Sequence, residues 1–169
     1  MLIVYTGSGK GKSTAAFGLA IRAAGWGKKV AIIQFIKGYK NTGEWKFFQK
    51  IPEVDIFQFH DDKKISITKP NTKHKPPAKK ALDLAKVLIC NKQYDVVILD
   101  EINNAIKHGL VEVGEIIKIL RSKPKKLVLV LTGRDANKEV IKLADIVTEM
   151  KEVSHHFSKN IPAKKGIDY

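Results

Sequence analysis

The chain has 169 residues, with 31 Lys+Arg against 17 Asp+Glu for a formal charge of +14, and 44% of its residues are hydrophobic. That length and composition suit one globular domain spanning 1–169 and exclude an intrinsically disordered chain. The single cysteine, Cys90, excludes an internal disulfide framework and a zinc site built on several thiolates, and no apolar run is long enough to cross a bilayer.

Taken in order, apolar β-branched runs alternate with helical patterns, which is the signature of βαβ units and a parallel sheet. Leu2–Tyr5 reads as a first strand and Ser13–Ala24 as a helix. Val30–Phe35 is a second strand, Glu44–Gln49 a short helix and Val54–Phe59 a third strand. His60 to Pro77 holds three prolines among lysines and aspartates and reads as a loop. Ala78–Asn91 returns to helical spacing, which places Cys90 in an apolar helical stretch and so in the core. Asp95–Leu99 is a buried strand, Val113–Arg121 a helix, Leu127–Leu131 a strand, Lys138–Leu143 a helix and Ile146–Met150 a last strand. The tail from Lys151 has little periodicity, and adjacent His155 and His156 could meet a ligand or metal, but as neighbours pointing opposite ways on a strand they read as surface or structural residues. The fold expected is a three-layer α/β/α domain with a mainly parallel sheet.

The strongest motif follows the first strand: Thr6-Gly7-Ser8-Gly9-Lys10-Gly11-Lys12-Ser13-Thr14. A P-loop needs that strand–turn–helix context. Glycines at 7, 9 and 11 let backbone N–H groups converge on phosphate oxygens, and the helix N-terminus adds its dipole. Lys12 supplies a point charge, and the Ser13 hydroxyl can ligate Mg²⁺. The general pattern has glycine where this chain has Thr6, so the loop has its own curvature. The run Val96–Leu99 ends in Asp100-Glu101, which puts a carboxylate pair at the carboxyl end of a buried strand, where open α/β sheets bind ligands. Helix capping is the plainer reading of that pair. Arg134, after Thr132-Gly133, would emerge on the same edge and could grip phosphate, or simply pair with Asp135.

The wider pattern resembles the bacterial-type corrinoid (cob(I)alamin) ATP adenosyltransferases. The likeness runs from Tyr5 to Gly18 and Arg22 to Gly27, through Gln34-Phe35-Ile36-Lys37-Gly38, Gly43-Glu44 and Leu99 to Asn103. It continues with Thr132-Gly133-Arg134, Ala144 to Met150, His155, Phe157 and Lys165-Gly166-Ile167-Asp168-Tyr169. The resemblance implies a RecA-like P-loop domain that transfers the 5′-deoxyadenosyl group of ATP to the Co(I) of a reduced corrinoid, with triphosphate leaving. It implies Mg²⁺ or Mn²⁺ held by Ser13 and Glu101. It also implies triphosphate binding by Gly7, Ser8, Gly9, Lys10, Gly11, Lys12 and Ser13, with Thr14 as a further contact, and the lysine-dense loop suits that chemistry, with Lys10 and Lys12 as the catalytic charges. A homodimer served by a corrinoid or flavin reductase follows from the same likeness, while the short apolar runs and an N-terminus without a secretory signal point to the cytoplasm with no membrane partner.

Two departures stand out. Family members commonly carry a Phe-x-Trp segment after the third strand, and the aligned stretch here is Lys64-Ile65-Ser66-Ile67-Thr68. Many also have a segment before strand one that covers a partner's site, whereas this chain starts in the strand. Trp26 and Trp45 suit either core anchoring or a corrinoid surface. The alternative function is a RecA-like ATPase acting on nucleic acid, supported by the +14 charge and the lysine-rich stretch from Asp61 to Lys80. Against it, the lysines are scattered and arginine, the usual base reader, occurs only at 22, 121 and 134.

Overall fold

A computed structural model describes residues 1–36, 42–59 and 74–168, with Phe157 by its backbone alone. The stretch with Ile65 and Ile67, along with His60, Lys37, Gly38 and Tyr169, lies outside the described residues. Six strands, β1 (Leu2–Thr6), β2 (Val30–Gln34), β3 (Val54–Gln58), β4 (Val96–Asp100), β5 (Val128–Thr132) and β6 (Ile146–Glu149), form one sheet in the order β3-β2-β4-β5-β1-β6. Every pairing is parallel.

Because side chains alternate across a strand, each central strand feeds two cores. Ile3, Val30, Ile32, Val96, Ile98 and Val130 face α1 (Lys12–Ala24) and α2 (Gly43–Phe48), where Phe17 stacks edge-on against Phe48 with ring centres 5.6 Å apart. Their neighbours Leu2, Val4, Ala31, Ile33, Val97, Leu99, Leu129 and Leu131 pack on the opposite face. That core is closed by α3 (Lys75–Cys90), α4 (Ile102–Lys107), α5 (Val113–Ser122) and α6 (Lys138–Leu143). The result is the three-layer α/β/α arrangement expected from the sequence.

Most expected elements lie within one residue of the observed ones. Helix α3 is the exception, because it begins at Lys75 inside the stretch assigned to the loop. Pro76 and Pro77 occupy its first turn, where a missing N–H costs nothing. Cys90 is not a core residue: it closes α3 and is exposed. Helix α4 was not expected, since six residues are too few to show a period. His155 and His156 do not alternate on a strand. Their rings lie 4.4 Å apart at the start of a 3₁₀ turn, His156–Lys159. Trp26 is 83% exposed, while Trp45 packs against the α1 side of the core.

Candidate nucleotide site

The carboxyl ends of β1, β4 and β5 converge, and the turns that leave them line one cleft of about 600 Å³. Gly9, Lys10, Gly11, Lys12, Ser13 and Thr14 form one wall, joined by Glu101 and Arg134. Gly7 and Ser8, expected among the phosphate contacts, are not part of the lining. They meet the chain that leaves β6 instead. A Cβ at Gly7 would fall 2.5 Å from the Met150 carbonyl oxygen, and one at Gly9 would fall 2.8 Å from the Lys151 backbone. The Gly9 N–H donates to the Met150 carbonyl at 2.7 Å, and the Met150 N–H donates to Thr6 at 2.8 Å. The Ser8 hydroxyl accepts from the Glu152 N–H at 3.4 Å. So the first two glycines of the motif answer to close backbone approach, and one N–H expected to face phosphate faces Met150. Thr6, where the general motif has glycine, uses its hydroxyl to accept from the Ala136 N–H at 3.1 Å.

Lys12 begins α1 from a left-handed Gly11 (φ 114°), is 8% exposed, and donates to the Gly9 carbonyl. Lys10 reaches across the cleft to Asp168 near the C-terminus at 2.5 Å. That ammonium, ahead of the Lys164 backbone N–H, holds the Asp168 carboxyl down to about 2. Gly166, Ile167, Asp168 and His155 thereby make the tail a wall of the cleft. No local pattern in the tail signals this, although its likeness to the family does.

The carboxylate pair divides. Asp100 is fully buried, accepting from Gln34 Nε2 at 3.0 Å and from the Thr132 hydroxyl at 2.7 Å, and it does not line the cleft. An attacking group in the cleft could not use it as a base. Glu101 does line the cleft, from a left-handed backbone (φ 63°), and its side chain makes no capping bond to α4. Arg134 likewise faces the cleft, while Asp135 pairs with Lys107 at 2.5 Å. Asn104, missed in the sequence, also lines the cleft and accepts from the Arg134 N–H at 2.5 Å.

The Ser13 hydroxyl and Glu101 carboxylate are hard oxygen donors on one cleft. No group of three or more His, Cys, Asp or Glu that could hold a metal occurs among the described residues. Few protein donors beside a phosphate-binding loop suit Mg²⁺, which keeps waters and shares its coordination with substrate phosphates. The residues present therefore fit that ion.

Over residues 1–169 the chain matches the family described as ATP:corrinoid adenosyltransferase BtuR/CobO/CobP. The chain belongs to the corrinoid adenosyltransferase family. A corrinoid adenosyltransferase of Pseudomonas aeruginosa is 38% identical over 169 residues, covering all of this chain and 83% of the relative. One of Escherichia coli K12 is 34% identical, covering all of this chain and 85% of the relative. Among solved structures, EssC (ATPases 2 and 3) of Geobacillus thermodenitrificans superposes with a TM-score of 0.53 at 16% identity. It is covered over 35% of its own length and 99% of this chain, a likeness of fold alone. Membership makes this corrinoid adenosyltransferase an enzyme whose substrates are ATP and a corrinoid. None of its described helices is long and apolar enough to cross a membrane.

Proposed function

We propose that the chain moves the 5′-deoxyadenosyl group of ATP onto the Co(I) of a reduced corrinoid in this cleft, releasing triphosphate. The observation that carries this reading is the whole-chain family match, laid over a cleft whose wall is the lysine-bearing loop Gly9–Thr14. In the step, the cobalt electron pair forms the Co–C5′ bond while the C5′–O bond breaks and its pair leaves on triphosphate. No proton moves, so no general base is needed. The protein's task is to hold C5′ in line and to stabilise charge on the departing phosphates. Lys10 and Lys12 serve as those charges, with Gly9 to Ser13, Thr14 and Arg134 as the triphosphate cradle. Ser13 and Glu101 would hold Mg²⁺ or Mn²⁺, which neutralises phosphate charge when bound.

The same reading carries a cytoplasmic homodimer, a single domain over 1–169, and a corrinoid or flavin reductase that supplies Co(I). The nucleic-acid ATPase alternative finds no support in the family match or the relatives.

The test mixes the protein with MgATP and chemically reduced cob(I)alamin, following corrinoid absorbance and the phosphate product. Conversion to the adenosylated spectrum with triphosphate released is expected. ATP binding without any spectral change would overturn the reading.

A further inference from the structure

The turn after β4 is tied residue by residue to the turn after β5. The Glu101 N–H donates to the Thr132 hydroxyl at 2.9 Å, Asn103 Nδ2 to the Gly133 carbonyl at 3.4 Å, and the Arg134 N–H to Asn104 Oδ1 at 2.5 Å. Gly133 (φ 126°) allows this closeness, since a Cβ there would meet Asn104 Oδ1 at 2.9 Å. Behind the first tie runs a polar relay. The parallel register sets Gln58 beside Gln34 and Gln34 beside Asp100. Gln58 Nε2 donates to Gln34 Oε1 at 2.6 Å, and Gln34 Nε2 to Asp100 Oδ2 at 3.0 Å. The Thr132 hydroxyl then donates to Asp100 Oδ1 at 2.7 Å. Gln34, Asp100 and Thr132 are all fully buried.

A hydroxyl has one proton. Here Asp100 takes it, which turns an oxygen lone pair toward the Glu101 N–H. That N–H belongs to a residue in the left-handed region, which residues with a Cβ rarely adopt and glycine adopts freely. Glycine would satisfy the backbone at 101, yet the chain keeps a glutamate whose side chain lines the cleft. Backbone of this kind persists where surrounding bonds over-determine it.

We propose that Thr132 is a positioning residue: its hydroxyl, oriented by Asp100, locks Glu101 in the left-handed conformation that presents the carboxylate to a nucleotide-bound divalent cation. This deepens the functional reading above and rests on its cation at Glu101.

The test uses Mn²⁺ as the probe, counting free ion by electron paramagnetic resonance with ATP present, for the full chain and for Thr132→Val and Thr132→Ser. Valine matches threonine in shape and lacks the hydroxyl, while serine keeps it. Weakening of Mn²⁺ binding by about tenfold is expected in the valine variant, with serine near wild type and metal-free ATP binding unchanged. A merely structural role would lower the melting temperature without separating metal from nucleotide affinity. Gln34→Met, two links back along the relay, carries the same test if the valine variant fails to fold, with a smaller loss in the same direction. Wild-type Mn²⁺ binding in a folded valine variant would overturn the proposal, as would a serine variant as weak as valine. A chain that holds Mn²⁺ with ATP in this hydroxyl-dependent way, yet does not adenosylate cob(I)alamin, keeps the positioning role and loses only the acceptor.

Discussion

Lys10 and Lys12 stand two residues apart and are held by different means. Lys12 is buried at the head of α1, whereas Lys10 is half exposed and paired with the tail. Lys12→Ala should fold, because the ammonium touches a carbonyl and not the apolar core. Loss of one charge-assisted contact to phosphate, worth about 1.5–3 kcal/mol, should weaken triphosphate binding roughly 10- to 150-fold, which calorimetry with inorganic triphosphate reads directly. Gly9→Ala should behave differently and lower stability with no ligand present. Its Cβ would meet Lys151 backbone at 2.8 Å, and overpacking of this kind costs about 1–3 kcal/mol. Thermal melts of the ligand-free protein should show a drop of about 2–10 °C, and an unchanged melt would mean that the strand exit yields easily. The spacing of the motif exposed the loop at once. What local spacing hid is that two of its glycines serve the chain leaving β6, because the partner lies some 140 residues away.

Strands were easier to read than short helices. Two buried faces demand apolar residues at every position, and Val96–Leu99 and Leu129–Leu131 supply them. The six residues of α4 offer less than two turns of pattern, and the prolines of α3 look like loop until the first turn of a helix is considered. One link between elements shows in alkali. Tyr94, just before β4, donates its hydroxyl to Asp55 on β3 at 2.8 Å. Burial first, and then the Asp55 carboxylate, pushes its pKa up to about 12 from the usual value of about 10. The folded state therefore resists losing that proton more than the unfolded chain does. Its contribution is complete below about pH 10 and is lost as pH rises through about 12. Tyr94→Phe should flatten the fall in melting temperature across that window, and a variant with the wild-type alkaline slope would assign the fall to other groups.

At the scale of the whole molecule, the sequence implied a parallel sheet and an edge that binds ligand, but not which strand lies beside which. The order β3-β2-β4-β5-β1-β6 depends on crossovers that no local pattern records. It places the last strand against the first, and so brings the tail over the loop that opens the chain. All four residues of β6 are exposed, and among the described residues the strand is paired along one side only, with β1. Such a strand sits at the low end of local stability, opening in a sub-global fluctuation well before the whole domain unfolds. Met150 and Lys151 leave it to brace Gly7 and Gly9, so each opening of β6 also unbraces the turn that leads into α1. The consequence is a thermodynamic bond between the site and a strand that is not part of the cleft's lining. A nucleotide that binds only the braced loop must suppress those openings, by about 2.7 kcal/mol when present at a hundredfold over its dissociation constant. Amide hydrogen exchange should then slow by about a hundredfold at the paired N–H groups of β6 on adding MgATP, while β3, at the far edge of the sheet, exchanges as before.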